Sequence, residues 1–267
     1  MMAWEFITIK KRMPKIRSPI LIEGLPGLGN VGKVAADFLI DELKAKKIFE
    51  IFSHDLPNSV FVNEKNLVEL PVIEVYYKKM QGAHDLLILT GDVQPTYEVS
   101  CYEFSEIVLD KFEELNGFEI ITLGGIGLSQ IPKNPTVYCT GNDPRMIEKY
   151  KRGTKLNDKL YGVVGPIVGV SGLLLGLGAK REIPAISLLA ETLGHPAYLG
   201  ITGAREIIKK LDKKLKLRIN IKKLEKEIDE LEEELAKVLE SSSGALPSKS
   251  SKLKKLQSLS KETNYIG

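Results

Sequence analysis

A mostly parallel β-sheet with helices on both faces is the fold this sequence predicts, and three observations predict it. Runs such as ILIEG (20–24), HDLLILTGD (84–92) and EIPAISLLAET (182–192) are nearly continuous in apolar residues rather than alternating, as in strands buried on both faces. Segments with helical spacing separate these runs, the rhythm of βαβ units. A glycine-rich turn joins the first run to the first helical segment.

The elements follow in order. ILIEG reads as the first strand, and VAADFLIDELK, after the glycines, as a helix. KIFEIFS and ELPVIEVYYKK read as the next two strands, and HDLLILTGD as a strand ending in a turn. TYEVSCYEFSEIVLDKFEEL has helical spacing, and FEIITLGGIGL returns to a strand followed by a glycine loop. LYGVVGPIVG reads as a strand, the glycine-rich stretch after it as a helix, and EIPAISLLAET as the last strand. This core is placed at residues 1–208.

Residues 209–240 differ sharply, lacking Gly and Pro and repeating apolar side chains by threes and fours. Ile221, Ile228 and Leu235 share one heptad position, and Leu217, Leu224, Leu231 and Val238 the other, so roughly three heptads satisfy the coiled-coil template. An amphipathic helix lying on its own domain is the plainer alternative, but so narrow a seam leaves little apolar surface for it. Residues 209–223 are strongly basic and 225–240 strongly acidic. A parallel pair would set Glu225, Glu227, Glu232 and Glu234 against their copies, whereas an antiparallel pair lays basic over acidic. The expectation is therefore an antiparallel homo-oligomer, with a tetramer favoured and a pentamer as the alternative. Residues 241–267, rich in Ser, Gly, Pro and Lys, read as a flexible tail ending in Tyr265, Ile266 and Gly267.

Composition excludes several function classes. A net charge of +3 without an aromatic-interleaved basic cluster argues against nucleic acid and anionic membranes. Cys101 and Cys139 lack metal-ligand spacing, and a chain with a large core does not need them as a staple, so a reducing cytoplasm is expected. The charged N-terminus does not read as a signal peptide. No charged residue lies between Lys159 and Lys180, yet six glycines and Pro166 make this a buried strand, turn and packed helix rather than a membrane span.

The strongest local motif is GLPGLGNVGKV. Gly27, Gly29 and Gly32 match GxGxxG after a strand, a pattern that can hold a dinucleotide pyrophosphate on a helix N-terminus, with Asp55 near the ribose-binding distance. The same stretch from Gly27 to Lys33 half-matches a Walker loop, with Val34 where Ser or Thr is needed. Glycines that permit a tight turn and close helix packing explain both half-matches. Ser171 fails the nucleophile-elbow pattern because Leu173 replaces its glycine. His54, His84 and His195 have no neighbouring metal ligands, and Glu191 and Thr192, at a strand end, define no reaction class. No catalytic residue, cofactor site or metal site is assigned.

GLPGLGNVGKVAADFLIDEL, TGDVQPT, TLGGIG, GPIVGVSGLLLG and LLAETLG, in this order, resemble archaeal members of the proteasome-assembly-chaperone family across residues 15–205. The resemblance implies a three-layer α/β sandwich loosely similar to nucleoside phosphorylases, a homo-oligomer, and no established catalytic activity. It also implies a partner, the outer ring of the 20S proteasome core, reached through the C-terminal tails. Proteasome activators commonly end in a hydrophobic residue, tyrosine and any final residue. Here Tyr265 is third from the end and Ile266 penultimate, a departure from that rule. A nucleotide- or nucleoside-binding enzyme using the Gly27 to Lys33 loop, and a purely self-assembling scaffold, are the alternatives.

Overall fold

The computed structural model describes residues 4–10, 12–63, 65–162, 165–195, 198–222 and 225–226. The chain runs through β1 (Trp4–Thr8), β2 (Ile20–Glu23), α1 (Val31–Leu43), β3 (Lys46–Ser53), β4 (Phe61–Val62), β5 (Val68–Glu69), β6 (Ile73–Lys78) and β7 (Leu86–Gly91). It continues through α2 (Glu98–Glu114), β8 (Glu119–Leu128), β9 (Val137–Gly141), α3 (Pro144–Lys151), α4 (Val170–Lys180), β10 (Ala185–Leu193) and α5 (Ile201–Leu215).

Eight strands form one sheet in the order β1-β3-β6-β7-β2-β8-β10-β9, and β4 and β5 make a separate hairpin. The parallel part is the centre, β7, β2, β8 and β10, with Ile22 level with Ile88 on one side and Ile121 on the other. β2 and β7 are buried at every residue, as the unbroken apolar runs require. The flanks are antiparallel, so the sheet as a whole is mixed. The segments joining β3 to β6 and β6 to β7 contain no crossover helix, and a chain that returns without one runs antiparallel to its neighbour. β6 accordingly alternates, burying Ile73, Val75 and Tyr77.

α1, α3 and α5 pack on one face and α2 and α4 on the other, each face with its own apolar core, giving three layers. Two sequence expectations are corrected. The glycines of TLGGIG lie inside β8, not in a loop after it, because Gly125 and Gly127 let the turn before α1 press on the strand. Residues 160–169 are not a strand among the described positions: Gly162 and Gly169 have φ near +80°, and Tyr161 and Val168 are exposed. No helix of the described residues is long and apolar enough to cross a membrane.

The boundary expected at residue 208 falls inside α5. That helix continues to Leu215, and Leu211, Leu217 and Ile219 are buried in the same core as Ile207 and Ile208. The uninterrupted helix expected over 209–240 breaks at Lys216. Lys216 and Arg218 adopt left-handed backbone conformations, and the Ile219 N–H donates to Asp212 Oδ1 at 3.0 Å. The chain then turns back, bringing Glu225 to 2.8 Å from Lys209.

Candidate functional site

α1 leaves β2 toward one face of the sheet while α2 leaves β7 toward the other. Such a divergence opens a crevice at the carboxyl ends of parallel strands, where α/β proteins hold ligands. Here it is a cleft of about 1140 Å³, walled by the loops around Pro26, Gln94 and Pro166 and by Gly124, Gly125 and Ile126. Tyr102 borders it, and both Tyr102 and Val168, another lining residue, are exposed.

The turn that enters the cleft is held by its own protein. The Asn30 N–H donates to the Gly27 carbonyl at 2.8 Å, and the Gly200 N–H to the Gly29 carbonyl at 2.7 Å. Gly29 has φ +60°, and a Cβ there would lie 2.6 Å from Thr192 Oγ1. A Cβ on Gly32 would lie 2.3 Å from the Leu123 carbonyl oxygen, and one on Gly24 2.3 Å from that of Gly32. Gly27 alone of these faces open space. The glycines therefore let α1 seat directly on β2 and β8.

Lys33, which a Walker-type reading would aim at phosphate, is 6% exposed and turned along its own helix. Its ammonium donates to Asp37 Oδ2 at 2.8 Å, and Thr90 Oγ1 donates to Asp37 Oδ1 at 2.8 Å. Burial pushes the Asp37 carboxyl above its usual range against the pull of Lys33.

Glu23, the last residue of β2, is a buried acid that binds two residues lining this cleft, Leu25 and Ser171. Its Oε1 accepts from the Leu25 N–H at 2.9 Å and its Oε2 from the Ser171 hydroxyl at 2.8 Å. Burial raises its pKa to about 7, with the Leu25 amide and the Ser171 hydroxyl opposing that shift. Both carboxyl oxygens are thus committed to fastening the first turn of α4 to β2. Gln94 makes a second fastening, its Nε2 donating to the Pro26 carbonyl at 2.6 Å.

A pH signature follows. Between about pH 4 and 7 the unfolded chain releases the Glu23 proton while the folded protein keeps it, so stability falls as pH rises through that window and then levels off. Glu23→Gln retains a bond to each partner and removes this slope. It should exceed wild type at pH 8 by roughly 2–4 kcal/mol, with a smaller gap at pH 5. Urea unfolding at both pH values measures it; an equal gap at the two would refute the assignment.

The remaining sequence candidates fall elsewhere. Glu191 accepts from the Thr136 N–H at 2.8 Å, a tie beside β9. Thr192 is buried against Gly29 with its hydroxyl unpartnered among the described residues. His84 stacks on Phe118 and His54 contacts Phe52 edge-on. Cys101 and Cys139 are buried and free. Among the described residues no cluster of three or more His, Cys, Asp or Glu side chains is arranged to hold a metal. Leu217, expected in an oligomer seam, is instead core, and Ile221 packs partly buried against the same core. Leu224, Ile228, Leu231, Leu235 and Val238, and the terminal Tyr265, Ile266 and Gly267, lie outside the described residues.

Sequence reasoning missed the Glu23–Ser171 pair. Its partners are 148 residues apart, but an acid closing an otherwise apolar strand was a visible signal.

A model of the PAC2 family matches residues 21–239. An uncharacterized protein of Methanocaldococcus jannaschii, MJ1210, is 30% identical over 217 residues, 81% of either chain. Among solved structures, PbaB of Pyrococcus furiosus, an archaeal proteasome activator, matches with a TM-score of 0.79 at 37% identity, covering 89% of this chain and 99% of that one. PbaA of the same organism, an archaeal homolog of proteasome-assembly chaperone, matches with a TM-score of 0.73 over 90% and 93%. Its 24% identity speaks for the fold alone.

Proposed function

The chain belongs to the PAC2 family, and from that premise we propose that it is a non-catalytic, homo-oligomeric proteasome-associated protein of the cytoplasm, an activator or assembly chaperone that contacts the 20S core through its C-terminal tails. The observation that carries this reading is the 37% identity to PbaB over 99% of that chain. The site geometry agrees with a non-catalytic role: the glycines serve packing, Lys33 is committed to Asp37, and Glu23 to structural hydrogen bonds.

Multivalency supplies the affinity. A single flexible segment binds weakly because its ordering opposes binding, whereas several tails on one oligomer raise the effective concentration of each later contact. A flexible tail of this length spans about 25–30 Å root-mean-square, enough to accommodate unequal subunit numbers in oligomer and ring.

The test is peptide hydrolysis by a purified 20S proteasome from the same source, with the full chain and with a chain ending at Asn264. Stimulation by the full chain, abolished by removing Tyr265, Ile266 and Gly267, is the expected result. Stimulation that survives truncation would sink the tail mechanism, and binding without stimulation by either chain would favour assembly over activation.

A further inference from the structure

At the opposite end of the sheet lies a second cavity, of about 950 Å³. Its walls carry Lys78, Lys79, Lys149, Lys214, Lys216 and Arg218, and its apolar lining includes Leu43, Leu86, Phe118 and Leu217. Only Glu42 and Glu119 oppose these six cations within the lining. Glu119 is already engaged: it is buried, pairs with Lys149, and accepts from the Tyr150 hydroxyl at 2.6 Å. Lys79, Lys216 and Arg218 are exposed and make no ion pair with another described residue. Lys214 is held by the Lys149 carbonyl, and burial together with the nearby Lys149 and Arg152 keeps its ammonium below the usual range. The cavity is a concentrated positive field over an apolar floor, suited to an acidic segment that also carries aliphatic side chains.

The chain contains one such segment. Six of the eight residues 227–234 are acidic, and the other two are Ile228 and Leu231. The described residues that lead to this segment head away from the cavity of their own chain. Ile219 is tied to Asp212 and Glu225 to Lys209, so the chain runs back along α5, away from the cavity at that helix's C-terminal end. At 1.5 Å per helical residue, Lys209 already sits about 10 Å from Lys216. We propose that residues 227–234 of one copy dock into the basic cavity of a second copy, a head-to-tail contact in which acidic side chains meet the lysine walls and Ile228 and Leu231 meet the apolar floor. This rests on the homo-oligomerisation proposed above and gives it a specific contact. Because donor and acceptor surfaces differ, the contact is heterologous and closes into a ring when the rotation between copies permits.

Sedimentation velocity of full-length protein tests it with two charge-reversed variants, K79E/K216E/R218E in the cavity and E230K/E232K/E233K in the segment. Wild type should be oligomeric, with association weakened at least about tenfold between 0.05 and 0.5 M NaCl. Each variant should lose the oligomer while retaining wild-type circular dichroism, and an equimolar mixture of the two should reassociate because both reversed surfaces then find complements. An oligomer unaffected by the cavity reversal, or folded variants that fail to reassociate on mixing, would overturn the docking and leave oligomerisation intact. A wild type that is monomeric would overturn both.

Discussion

Replacing Gly32 with alanine is expected to destabilise the protein by about 3 kcal/mol or more, while the same change at Gly27 leaves stability within about 0.5 kcal/mol. The asymmetry comes from what a Cβ would meet. At Gly32 it would sit 2.3 Å from the Leu123 carbonyl oxygen and 3.0 Å from the carbonyl carbon. Backbone cannot rotate aside as a long side chain can, so α1 must lift from β8, loosening contacts made by Val31, Ala35 and Ala36. At Gly27 the backbone is extended, with φ −159°, and no atom lies within 4 Å of the added carbon. For a domain of this size the Gly32 variant should melt roughly 6–12 °C lower. Thermal unfolding of the two variants is the measurement. Loss confined to Gly27→Ala, or two equal losses, would show that these glycines serve something other than helix seating.

This contrast also marks how far the sequence could be read. The strands β2, β3, β6, β7, β8 and β10 and the helices α1 and α2 were legible because each lies in a clear apolar run or a helical period. β1, β4, β5, β9 and α3 are short or mixed in character, and tertiary pairing decides them. For α3 a local signal did exist: Asp143 caps the helix through the Arg145 N–H, and Pro144 occupies its first turn. The break after α5 left no such mark. KLKLRINIKK contains no glycine or proline, yet Lys216 and Arg218 take left-handed conformations. Leu217 satisfies a heptad seam and a core position equally well, and only its contact with the α5 core distinguishes them.

The charge segregation of residues 209–240 acquires a different meaning once the chain is seen to turn. Basic and acidic residues do meet in antiparallel fashion, but the Lys209–Glu225 pair forms within one chain. Each is partly exposed, so this pair guides direction more than it adds stability. Its effect is to hold Glu225 back along α5, on the side away from Lys216 and Arg218. On the docking proposed above, one sequence feature would serve two jobs: orienting the outgoing chain and receiving that of a neighbour.

Asp85→Ala is expected to be about as damaging as Gly32→Ala, at roughly 3 kcal/mol, because it removes the buried acceptor at the centre of a partly buried network. Asp85 precedes β7, and its side chain is wholly buried. Oδ1 accepts from Arg17 Nη2 at 2.7 Å and the Met80 N–H at 2.9 Å, while Oδ2 accepts from the Arg17 N–H and the Tyr77 hydroxyl, both at 3.1 Å. The residue thus joins the approach to β2, the end of β6 and the start of β7. Its removal leaves buried donors without an acceptor. Burial alone would raise the Asp85 pKa, but Arg17, the two amides and Tyr77 outweigh it and hold the carboxyl below its usual range. Stability from this site is therefore present above the unfolded value of about 4 and is lost as pH falls through the lower folded value. Asp85→Asn keeps the volume but presents an N–H₂ to groups that donate, so it should recover only part of the loss. Denaturant unfolding from pH 7 down to 2 reads both effects. The wild-type advantage over Asp85→Asn should be greatest at neutral pH and shrink steadily in acid. An advantage that stays constant across that range would mean that packing, not the charged network, makes Asp85 matter.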